Sequence, residues 1–93
     1  METFIGDIVT LAIETNVDLS GQTLEIMYRK PDDTEGYWNA TIHPTDHSVA
    51  LYTTQESDLD IVGTWKIQVF AHDINSRSHG KFAEFRVKTP ITV

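Results

Sequence analysis

Four histidines and fourteen carboxylates are the residues of this 93-residue chain whose types could do chemistry. His43 and His47 stand four apart with Asp46 between them. On a helix that spacing converges on a metal ion. Here it spans Pro44-Thr45-Asp46, which reads as a turn, and a catalytic zinc site needs a third ligand and an open position. The expectation is a solvated loop with no metal. His72 and His79 stand at the two sides of the last hairpin loop and could meet across it, or stand as two exposed loop residues. The carboxylates cluster as Asp32-Asp33-Glu35 and as Asp58-Asp60. Paired carboxylates run acid–base chemistry when their surroundings split their pKa values. Both clusters read as exposed turns, where Asp is favoured for turn geometry alone. Neither has the spacing of a calcium loop. The chain has no cysteine, so it offers no thiol nucleophile, disulfide or thiolate site. It also lacks a Gly-x-Ser-x-Gly elbow and a phosphate-binding glycine loop. The residues therefore point to a protein that is not an enzyme and carries no cofactor.

The elements that position these residues read as strands. The chain from Trp65 alternates, with Trp65, Ile67, Val69 and Ala71 on one face and Lys66, Gln68, Phe70 and His72 on the other. Successive strand side chains point to opposite sides, so one of these faces is apolar and inward. Gly63 precedes it, at a corner that begins with Asp58-Leu59-Asp60. A glycine suits a corner whose backbone conformation other residues resist. The same alternation places Val9, Leu11 and Ile13 on a first strand and Leu24, Ile26 and Tyr28 on a second. Trp38, Ala40 and Ile42 face inward on a third. Ala50 and Tyr52 are the expected inner pair of Ser48–Thr54. Ala83, Phe85 and Val87 are inward on a last strand, Lys81–Lys88. Pro31–Gly36 and Asp73–Gly80 read as hairpin loops, and Val17 and Leu19 as plugs at one end. The expected core is Trp38, Trp65, Ile67 and Phe85. Six short strands without helical period predict a single all-β domain over 1–93, an antiparallel sandwich of about six to seven strands, with a small barrel as the alternative.

Net charge is −7. That argues against nucleic-acid backbones and anionic membranes as partners. Met1–Asp7 has neither a basic start nor a long apolar run, so it does not read as a secretory signal. Phe70 and Phe82 fall on the outward phase of the last two strands, near Met27 or Tyr37 if the strands share a sheet. A contiguous exposed apolar patch marks an interface. The tail residues Ile91 and Val93 could extend a neighbour's sheet edge.

Taken in order, the motifs resemble a family of small immunoglobulin-like domains of tailed bacteriophages, similar to the N-terminal domain of the phage baseplate upper protein. The residues that carry the resemblance are Gly6-Asp7, Asp18 to Gly21, Lys30-Pro31-Asp32, Trp38-Asn39-Ala40, Ser57 to Gln68 and Ser78-His79-Gly80. The turn at Asp32-Asp33-Thr34-Glu35 departs from the family's shorter Pro-Asp-Gly. The resemblance implies an immunoglobulin-like sandwich acting as a non-enzymatic virion structural protein. It would be made in the bacterial host cytoplasm and dock on capsid or tail and baseplate proteins, and it leaves room for a homo-oligomer. The alternative reading is a module for cell-surface carbohydrate, using exposed aromatics such as Tyr37 or Phe70 beside Asn39 or Gln68.

Overall fold

The structure is a computed structural model and describes residues 3–91. Its strands are β1 (Thr3–Phe4), β2 (Thr10–Glu14), β3 (Thr23–Arg29), β4 (Glu35–Ile42), β5 (Val49–Thr53), β6 (Gly63–His72), β7 (Arg77–His79) and β8 (Ala83–Lys88). No helix occurs among the described residues. The six alternating segments are all strands, and β1 and β7 are additions to them.

The strands form one sheet in the order β1-β8-β6-β3-β4-β5-β2, with β7 pairing β6 beyond the end of β8. β1 runs parallel to β8, so the sheet is mixed and not wholly antiparallel. β4 belongs to two neighbourhoods. Glu35 to Ala40 pair with β3, while Thr41 and Ile42 pair with β5. The sheet therefore curls about β4 and folds its apolar side inward.

The inward residues follow the period of two. Trp65 and Ile26 are fully buried, and Trp38, Ile67, Val69, Leu24 and Val87 nearly so. Five aromatics form one continuous stack. Phe85 lies 6.0 Å from Trp65, Trp65 lies 6.1 Å from Trp38, and Trp38 lies 4.9 Å from Tyr52. Tyr28 wedges between the two tryptophans at 4.6 and 5.7 Å. Each such pair adds about 0.5–1.5 kcal/mol beyond its buried area. Without disulfides, this stack is the main cross-link between the two ends of the sheet. Gly36 faces Tyr28 across β3 and β4, and a Cβ there would collide with the tyrosine hydroxyl.

The corner before β6 is more buried than its acidity implies. Leu59 is fully buried, and Asp58 is half-buried and not exposed as expected. Tyr52 donates its hydroxyl hydrogen to Asp58 Oδ2 at 2.6 Å, and the Gln55 N–H donates to the same oxygen at 2.7 Å. Burial, with this bond to a carboxylate, pushes the Tyr52 hydroxyl up to about 12. The Trp65 indole N–H donates to the Ile61 carbonyl at 2.9 Å, so the core anchor is also tied to the corner. Lys30 Nζ sits 3.0 Å from Asp60 and 5.5 Å from the Trp65 ring centre.

Three loops differ from expectation. The β3–β4 hairpin closes with the Lys30 N–H donating to the Thr34 carbonyl at 2.8 Å, and Asp33 takes a left-handed φ of 69°. That is a three-residue hairpin loop whose left-handed position is filled by Asp instead of Gly. Asp73–Gly80 is not one loop, because Arg77–His79 pair with β6 and leave a tight turn at Asp73–Ser76 and a break at Gly80. Leu19 is buried as expected, whereas Val17 is exposed and plugs nothing. Thr54, nearly fully buried, accepts from the Val9 N–H at 2.9 Å and donates to the Asp7 carbonyl at 3.0 Å. It holds the approach to β2 against β5.

Candidate interaction face

The outward side of β3, β4, β6, β7 and β8 is a lattice of cross-strand rows. The middle row reads Tyr37, Met27, Gln68. One step towards the β3–β4 turn it reads Glu35, Arg29, Lys66, Glu84. One step the other way it reads Asn39, Glu25, Phe70, His79. Alternation on each strand puts these side chains opposite the buried stack.

Phe82 joins the middle row from outside any strand. After β7 the edge pairing breaks at residues 80–82 before β8 resumes it. The break is held by the Gly80 N–H donating to the Val69 carbonyl at 2.8 Å and by the Gln68 amide donating to the Gly80 carbonyl at 2.8 Å. Phe82 is thereby displaced outward and is 72% exposed. With Met27 (40% exposed) it walls a groove of about 380 Å³, with Lys66, Gln68 and Glu84 also lining it. Tyr37, 60% exposed, lines a shallower hollow on the other side of Met27, beside Phe70.

The expected interface residues Phe70, Phe82, Met27 and Tyr37 thus share one face. Phe70 differs from the others in being half-buried by its neighbours. His72 and His79 do not meet across a loop. Each stacks on Phe70, at 4.9 and 4.6 Å, and the Arg77 guanidinium lies 5.4 Å from the same ring. His72 Nε2 is 3.2 Å from Glu25 Oε1. Ile91 is 92% exposed beyond β8 and pairs with no strand, and Val93 lies outside the described residues. The core set Trp38, Trp65 and Ile67 is buried, and Phe85 is half-buried against Trp65.

Charge is segregated in a way that composition hides. Arg29, Lys66, Arg77, Arg86 and Lys88 fall on the outward phase of this face, five of the seven Lys and Arg in the chain. Among the described residues, Glu25, Glu35 and Glu84 oppose them there. The remaining described carboxylates lie in turns, or, for Glu14, on β2. Arg29 and Glu35 pair at 2.6 Å. Among the described residues, Lys66 and Glu84 form no ion pair, so both are free to meet a partner.

The remaining chemical residues build turns. Asp18, Asp32, Asp46 and Asp73 each accept the N–H of the residue two places on, from Ser20, Thr34, Ser48 and Asn75. These bonds hold all four carboxyls below the usual range, led by the Ser20 and Ser48 hydroxyls for Asp18 and Asp46 and by the Thr34 and Asn75 backbone for Asp32 and Asp73. His43 Nδ1 accepts the Thr45 and Asp46 N–H groups, both at 3.1 Å, and so closes the Pro44 turn. His47 Nδ1 lies 3.2 Å from Ser20 Oγ. No group of three or more metal-ligating side chains occurs among the described residues. Compared with protein-family models, with curated proteins and with solved structures, the chain matches none.

Proposed function

We propose that this chain is a non-enzymatic structural protein of a tailed-phage virion, and that it docks on other virion proteins through the outward face of β3, β4, β6 and β8. The observation that carries the docking reading is the set Tyr37, Met27 and Phe82, exposed on the outward side of the sheet around Gln68 and bordered by Glu35, Arg29, Lys66 and Glu84. Apolar centres with a charged rim characterise protein interfaces. A sheet face holds its side chains in register, so such a surface is organised before it binds. The assignment to a virion draws on the motif order Gly6-Asp7 to Gly80. In the same reading the fold is an immunoglobulin-like sandwich. One layer is β1-β8-β6-β3-β4 and the other is the end of β4 with β5 and β2. Trp38 and Trp65 fill the space between them. The protein is made in the host cytoplasm and ends in the particle, bound to capsid, tail or baseplate proteins and not to nucleic acid or membrane. That Asp18, Asp32, Asp46, Asp73 and His43 are engaged in turns favours a role without catalysis.

Quantitative mass spectrometry of purified particles tests this. The protein is expected at a fixed copy number, high for a head position and low for the tail or baseplate. Its absence from the particle overturns the reading. The groove between Met27 and Phe82, with Gln68 and Glu84 beside it, favours the carbohydrate module as a second reading. Binding to a glycan array would support that one, and an array without hits removes it.

A further inference from the structure

The turn joining β6 to β7 carries Ile74, which is 96% exposed. Among the described residues no large apolar side chain is more exposed, and water is an unfavourable surrounding for it. The turn does not let it fold away. Asp73 Oδ1 accepts the Asn75 and Ser76 N–H groups at 2.7 and 2.8 Å and the Ser76 hydroxyl at 3.2 Å. The tip is therefore an ordered turn that presents Ile74 to solvent with a carboxylate at its base. The groove walled by Met27 and Phe82 can receive it, because apolar walls stand there beside Lys66, which no ion pair holds, with Arg29, Glu35 and Glu84 on the same lining. Elsewhere the surface is acidic and copies repel each other. At this face the chain carries most of its positive charge, so an acidic partner is attracted here and not elsewhere.

We propose that the occupant of the groove is a second copy of this chain, which seats Ile74 between Met27 and Phe82 and brings Asp73 towards Lys66. The inference rests on the reading of this face as a docking surface and names its partner. Knob and groove lie on different parts of the same molecule. The contact is therefore head-to-tail, and repetition gives a ring or a filament.

Sedimentation of the purified protein up to about 1 mM, the weak end of specific association, tests the contact. Association is expected to grow with concentration and to weaken in high salt, where the Asp73–Lys66 attraction is screened. Ile74→Ser and Phe82→Ser each leave the protein monomeric, with unchanged thermal unfolding because both side chains are exposed. Mixing the two variants restores a one-to-one dimer and nothing larger, since one supplies the only intact groove and the other the only intact knob. A wild type that stays monomeric, an Ile74→Ser variant that still associates, or a mixture that stays monomeric overturns the proposal. Particle incorporation separates this proposal from the broader one. If Phe82→Ser is excluded from particles while Ile74→Ser enters normally, the face serves a different virion protein and the self-contact is wrong. If the wild type is absent from particles, the docking reading itself fails.

Discussion

The ring of Pro31 fills the space that a side chain on Gly63 would need, since a Cβ on Gly63 would come within 2.7 Å of the proline Cγ. The contact locks the β3–β4 turn against the corner that starts β6. Gly63 also has a φ of +135°, a region that L side chains rarely adopt. Gly63→Ala is expected to cost about 2–4 kcal/mol, from strained backbone and from overpacking. Denaturant unfolding measures it. A loss under about 1 kcal/mol, the range of ordinary surface changes, contradicts this account of the corner.

Asp33 takes a left-handed conformation that glycine adopts without penalty. Asp33→Gly is expected to raise stability by up to about 1 kcal/mol, the steric relief being offset in part by greater freedom when unfolded. Asp33→Val is expected to lower it. Thermal unfolding of both variants checks the order, and a reversed order excludes the left-handed assignment.

Tyr52 gives the fold an alkaline limit. Its hydroxyl pKa is raised from 10.0 to about 12 in the folded state, so between these values the folded chain holds a proton that the unfolded chain has lost. The contribution is complete below pH 10, and it is lost as pH rises through about 12. Tyr52→Phe removes this alkaline slope and leaves a lower stability at neutral pH, because Asp58 loses a donor. Stability against pH from 8 to about 12 shows both effects. An unchanged slope in the variant assigns the alkaline limit to another group.

The four turn carboxylates act in the opposite direction. Asp18, Asp32, Asp46 and Asp73 sit below their ordinary 3.8, so they favour the folded state above that pH. The contribution disappears as pH falls through their lower folded values. Carboxyl chemical shifts followed through an acid titration report each group. Ser20→Ala is expected to move Asp18 upward and leave Asp73 in place, and a shift common to both contradicts the local origin.

The strands with an apolar face were readable because the period of two appears wherever one side is buried. Tyr52 and Ala50 were the right inner pair of β5 for that reason. β7 was not readable: Arg77, Ser78 and His79 are all exposed, so burial leaves no period in the sequence. β1 was hidden because two residues pairing with β8 across the whole chain length carry no local pattern. The outward set Phe70, Phe82, Met27 and Tyr37 was legible as alternation. The groove was not, because it depends on the break at Gly80 that throws Phe82 outward. Asp58 looked like one more turn acid, and only the approach of Tyr52 from β5 gives it its place. Ile74 lies within a polar loop, where no period marks it. The one available signal was a β-branched residue between Asp and Asn at a turn tip.

The most direct test of the central claim, that the outward face is the docking surface, is particle incorporation of the double variant Met27→Ser/Phe82→Ser beside the wild type. Phe82 is 72% exposed and Met27 40%, so the variant is expected to stay folded with a modestly lowered unfolding temperature. The account predicts that this folded variant is missing from purified particles. Incorporation at the wild-type copy number would contradict it.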